Sequence, residues 1–235
     1  MKDPALDELL ARKRLLESPA YQAADFAARL RELQCWQSAR LARTYQDFRA
    51  DAHYLPAVEF FLSELYGPQE FTERNRDLER ALRYLKRALP ASVMKVLGNA
   101  IELEVLTLEL DHAMVRALAT AAVTDATYAA AYREVDNRKS RTRQIDLIVS
   151  IGENLSRTVN RLWIRPLLQA AHVPAHAAGF GVLQDFLERG YAAFRQMQTA
   201  DHLLQAIRER ETRFMHAMLQ LSDGPLGPAR EHAHE

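Results

Sequence analysis

The stretch that most constrains this chain is residues 91–123, ASVMKVLGNAIELEVLTLELDHAMVRALATAAV. The proline before it, Pro90, cannot continue a preceding helix, and the stretch predicts one helix of about nine turns. Projected at about 100° per residue, Lys95, Asn99, Glu102, Glu109, Arg116 and Thr120 fall on one narrow stripe. Nearly everything else is Leu, Val, Ile, Met or Ala. A helix apolar over most of its circumference is normally surrounded by other elements, so this one is expected at the centre of a bundle. Three polar residues break the rule. Glu104, Thr107 and Asp111 project into the apolar sector at spacing i, i+3, i+7.

The rest of the chain reads as helices joined by short connections. Residues 3–17 carry Leu6, Leu9, Leu10 and Leu16 on one side and predict a first helix. Ser18-Pro19 is a start signal for the next, expected over residues 19–50 with a stripe of Phe26, Leu30, Leu33, Gln37, Leu41, Thr44 and Phe48. Gln37 and Thr44 are polar intruders on that stripe. A helix around Val58, Phe61 and Leu65 should end at Gly67-Pro68. Thr72 should cap another that runs to Leu89. After the central helix come a short helix from Thr124-Asp125 to about Asp136, the charged turn 137–140, and a long helix over about 141–162. Ile145, Ile148, Gly152, Leu155, Val159 and Leu162 or Trp163 form its stripe, and Arg141 and Gln144 lie on the same stripe. Pro166 should kink or end it, and residues 172–181 read as a connector. Two amphipathic helices close the chain, with Phe180, Leu183, Leu187, Gly190, Tyr191 and Phe194 on one, and Leu203, Ile207, Phe214, Met218 and Leu221 on the other.

The expected fold is therefore all-α: a single-domain bundle of seven to nine helices over residues 1–221 around the central helix, with a flexible tail at 222–235. Composition narrows the partners. Basic and acidic residues balance at 31 each, which argues against nucleic acid as the main partner. The single cysteine, Cys35, leaves no internal disulfide or Cys-rich zinc site. No apolar run approaches a membrane span, because Glu104, Glu109 and Asp111 interrupt the best candidate. A cytoplasmic location and no membrane association are expected.

The block FFLSELYGPQEF at residues 60–71 resembles the signature of a family of uncharacterised bacterial all-helical proteins, in which Phe-Phe-Leu-x-x-Leu-Tyr-Gly-Pro is followed two residues later by Phe. Residues 42–47, LTLELDHAM at 106–114, RQIDLIVSIG at 143–152 and LQDFLERGYAAFRQM at 183–197 extend the resemblance over about residues 40–215. It implies a helical domain of unknown function and supplies no catalytic residue.

For chemistry, the buried polar cluster comes first. Glu104 and Asp111 are expected to meet Arg141 and Gln144 in the interior, with Thr107 beside them. A buried carboxylate must be paired, protonated or metal-bound. The plainest reading is a network that fixes helix register; the alternative is a ligand or cofactor cavity, for haem or a metal, or an active site opening onto it. Glu109 to His112 gives one Glu-x-x-His, half of a di-iron site, with no second half. His53, His112, His172, His176, His202 and His216 could in principle ligate haem, but no Cys-x-x-Cys-His is present. No nucleotide or hydrolase motif occurs. Thus no catalytic residue, metal or cofactor is assigned, and a non-catalytic binding or structural module is expected. Phe60, Phe61, Tyr66 and Phe71 are candidates for a protein-partner or homodimer surface.

Overall fold

The computed structural model describes residues 4–18, 24–64, 91–197 and 199–220. Every regular element among them is a helix: α1 (Pro4–Leu16), α2 (Ala24–Thr44), α3 (Gln46–Ala50), α4 (Leu55–Glu64), α5 (Ala91–Leu118), α6 (Asp125–Val135), α7 (Arg138–Val159), α8 (Ile164–Ala177), α9 (Gly181–Gln196) and α10 (Asp201–Gln220). The expected all-α bundle is found, with more helices than the sequence suggested. No described helix is long and apolar enough to cross a membrane. The helix expected over 72–89, the Pro19 start signal, the Gly67-Pro68 stop and the tail at 222–235 lie outside the described residues.

The central helix is α5, which packs against α1, α2, α6 and α7. It stops at Leu118 rather than Val123. Ala119 takes a left-handed conformation, φ 45°, and its N–H bonds back to the Val115 carbonyl, 3.1 Å away. This closes the last turn as glycine usually does. Thr124 then caps α6 through a reciprocal pair: its Oγ1 accepts from Thr127 N–H at 3.2 Å, and Thr127 Oγ1 accepts from Thr124 N–H at 2.9 Å.

Three departures from the sequence reading shape the interior. The long helix expected over 19–50 breaks at Tyr45, whose backbone leaves the helical region with φ −110° and ψ 25°; its ring is buried and its hydroxyl is bound by Glu211. The helix α7 ends at Val159, so Leu162 and Trp163 are exposed instead of core. The supposed connector at 172–181 is mostly helix: α8 runs through His172 and Pro174 to Ala177. Pro166 sits in its first turn, where a missing N–H costs nothing. Pro174 removes a bond only to the carbonyl of Ala170, and both residues are exposed, where solvent can meet that carbonyl.

Among the described residues the core has three apolar clusters. One joins the end of α2 and helices α3, α4, α7, α9 and α10 around Phe48, Phe60, Phe194 and Leu203. A second joins the start of α2, the end of α5, α6 and α10 around Leu33, Met114, Tyr128 and Met218. The third seats α1 on the first half of α5. Gly152 lets α7 and α10 approach closely: a Cβ there would lie 2.4 Å from Leu204 Cδ2.

Candidate functional site

Between the first two clusters lies a cavity of about 90 Å³. Its apolar lining comes from both sides, through Leu41, Val58, Phe61, Ile148 and Ile207, together with Tyr128. Its polar lining is dense for an interior site: Gln37 and Arg40 from α2, Tyr45, Thr107 and Asp111 from α5, Arg141 and Gln144 from α7, and Glu211 from α10. Each helical member projects inward because it occupies an apolar position of its helix, and Tyr45 does so from the break between α2 and α3.

The polar groups divide into two sets. In the first, Arg40 Nη1 donates to both carboxylate oxygens of Glu211, at 2.7 and 2.8 Å, and Tyr45 Oη donates to Glu211 Oε1 at 2.9 Å. The Arg40 guanidinium lies over the Phe214 ring, 4.2 Å from its centroid. Burial works against the charge on Arg40, but the Glu211 carboxylate more than offsets it and holds the arginine above its ordinary pKa.

In the second set the charges do not touch. Asp111 is 2% exposed. Its oxygens accept from Gln37 Nε2 at 3.1 Å and Gln34 Nε2 at 3.4 Å. Burial raises its carboxyl pKa; the amide of Gln37 and the charge of Arg141 pull the other way without cancelling it. Arg141 is 8% exposed and its guanidinium lies 4.6 Å from the centroid of the Tyr132 ring. Burial pushes the Tyr132 phenol up to about 12. Arg141 Nη2 is buried and has no hydrogen-bond partner among the described residues. Gln144 Nε2 donates to Thr107 Oγ1 at 2.8 Å.

Of the five residues singled out from sequence, the structure brings Thr107, Asp111, Arg141 and Gln144 to one cavity. It does not bring Glu104, which turns toward α1 and lies 3.4 Å from Lys13 Nζ, itself buried. Arg40, Tyr45 and Glu211 were missed. A signal for Glu211 existed: the α10 stripe steps by seven from Ile207 to Phe214, and Glu211 sits in the gap. Arg40 likewise lies between the two intruders already noted on α2, Gln37 and Thr44. Of the aromatic candidates, Phe60 is buried beside Phe186, with ring centroids 5.2 Å apart, and Phe61 is half-buried on Phe194 at 5.6 Å. Neither offers an exposed face; Tyr66 and Phe71 lie outside the described residues. Glu109 pairs with Arg12 at the surface. His112 is buried against the edge of Phe26, its ring centroid 4.8 Å away.

Fold and site define a class: an all-α bundle with a small cavity lined by charged residues. Residues 17–225 match a family described as a domain of unknown function, DUF8198, and the chain belongs to that family. The helical family of unknown function that the 60–71 block resembled is thereby found, over a longer span. No curated protein and no solved structure matches the chain.

Proposed function

We propose that this protein is a non-catalytic helical binding module whose interior cavity takes a small anion, anchored by Arg141. The observation that carries the reading is Arg141, which lines the cavity and whose buried Nη2 has no acceptor among the described residues. A buried charge left unpaired is costly, by several kcal/mol. The planar guanidinium fork suits a carboxylate or phosphate. The volume of about 90 Å³ limits the ligand to a few heavy atoms, since about 150 Å³ holds a benzene. Burial shifts the Asp111 carboxyl toward its protonated form, the form that would not repel an anion. Gln144 and Thr107 offer further hydrogen-bonding atoms on the same lining.

A second reading is a sealed network that only fixes helix register. The closed Arg40–Glu211–Tyr45 set favours it; the open Arg141 does not. Thermal unfolding in acetate, in propionate and in inorganic phosphate separates the two. An anion site gives a rise that grows with the logarithm of anion concentration, worth about 2.7 kcal/mol at one hundred times the dissociation constant, and Arg141→Gln abolishes it. A wild-type protein indifferent to all three anions, or a rise that survives Arg141→Gln, leaves the register reading in place and removes the anion reading.

A further inference from the structure

We infer that the hairpin of α8 and α9 carries a surface binding site for a divalent transition-metal ion of the zinc type, with His172 and His176 as paired imidazole ligands and Asp185 as the carboxylate ligand. It is separate from the interior cavity and stands whether or not the anion reading does. The site exists because α8 remains helical through Pro174. A connector would scatter the two histidines, whereas a helix stacks positions i and i+4 on one face. Their rings accordingly lie 4.5 Å apart, centroid to centroid.

The antiparallel return then supplies carboxylates. Gly179, at φ 75°, makes the turn. Gly181 opens α9 without a side chain; a Cβ there would stand 2.7 Å from His176 Nδ1, so the ring keeps its position only because residue 181 is glycine. Asp185 Oδ1 lies 2.9 Å from His176 Nε2, and Glu188 Oε1 lies 2.9 Å from His172 Nδ1. The donor atoms of His172, His176 and Asp185 all fall within 4.8 Å of one another. Ligands around a zinc ion at about 2.0–2.2 Å stand closer together than that. The side chains are half-exposed and can close on an ion with no change in the core.

Glu188 is held from behind by Gln184, a buried residue on the same helix. Gln184 Nε2 donates to Glu188 Oε1 at 2.8 Å and to the Leu168 carbonyl of α8 at 2.9 Å. This places the Glu188 carboxylate beside the imidazoles, where it can orient His172 or complete the coordination. Two imidazoles with carboxylate select a borderline ion such as zinc over calcium or magnesium, which prefer oxygen alone.

The test is titration of the full chain with zinc by calorimetry, and with cobalt(II) by visible absorption, which reports coordination geometry. The background chain carries His232→Ala and His234→Ala, since the tail sequence EHAHE offers a competing pair. One ion per chain is expected. His176→Ala should weaken binding by at least ten- to a hundredfold, and Asp185→Asn by about tenfold, both with unchanged helical content by circular dichroism. Gly181→Ala should also weaken it, by displacing the His176 ring. The inference is overturned by the absence of saturable one-to-one binding, or by binding that His172→Ala and His176→Ala leave unaltered.

Discussion

The two arginines of the cavity are built to opposite ends. Arg40 is paired: its Nη1 bonds the Glu211 carboxylate, which Tyr45 also holds, and its guanidinium lies on Phe214, although its Nε, like Arg141 Nη2, is buried with no acceptor among the described residues. Arg141 is open: it rests on Tyr132, faces Asp111 without an ion pair among the described residues, and keeps Nη2 unsatisfied. Arg141 is buried and Arg40 largely so, and each carries a desolvation cost. Arg40 alone meets a carboxylate in an ion pair among the described residues. The difference separates a charge that holds the bundle together from one the bundle tolerates, which is what a binding residue looks like before its ligand arrives.

The comparison is broken most sharply through the carboxylates. Glu211→Gln removes the partner of a buried arginine and should cost about 3–5 kcal/mol in urea-induced unfolding. Asp111→Asn keeps an acceptor for Gln37 and removes a carboxyl already strained toward its neutral form; it should stay within about 1 kcal/mol of wild type. Equal costs for the two would erase the distinction.

The pH dependence sharpens it next. Burial lowers His112 to about 4, so between that value and 6.5 the unfolded chain binds the extra proton. Stability is complete above pH 6.5 and is lost as pH falls toward 4, by up to about 2–3 kcal/mol. Asp111 acts with the opposite sign, because its folded pKa lies above the unfolded one; its protonation favours the folded state at low pH, and that contribution fades as pH rises. His112→Leu should flatten the acid limb of a stability profile, and Asp111→Asn should steepen it.

Smaller effects follow. Thr107→Val leaves the Gln144 amide without its acceptor and should cost about 1 kcal/mol by chemical denaturation. Ala119→Gly relieves a left-handed residue at the end of α5 and should raise stability by about 0.5–1 kcal/mol, read as a small gain in melting temperature. This last change touches neither arginine and calibrates the assay.

Much of this was legible in the chain. The apolar circumference of α5 announced a central helix, and its polar intruders Thr107 and Asp111, with Arg141 and Gln144 on α7, line one cavity as their periodicity required. Glu104 misled because an inward projection says nothing about which neighbour waits there, and Lys13 of α1 was waiting. Tyr45 broke a continuous stripe for a tertiary reason, its hydroxyl reaching Glu211 far along the chain. Residues 172–181 misled because proline and glycine are read as local breakers, while the exposed Pro174 costs little and the hydrogen bonds of His176 to Asp185 and His172 to Glu188 tie α8 to α9. Long-range pairings of this kind leave no local signature.

The central claim is that Arg141 is retained for what it binds rather than for what it stabilises. The direct measurement is the unfolding free energy of Arg141→Met beside that of Arg40→Met, each with and without acetate. Arg40→Met strands Glu211 and is expected to lose about 3–5 kcal/mol, whereas Arg141→Met is expected to equal or exceed wild type while losing the response to acetate. An Arg141→Met protein that loses as much stability as Arg40→Met, or that acetate still stabilises, contradicts the account.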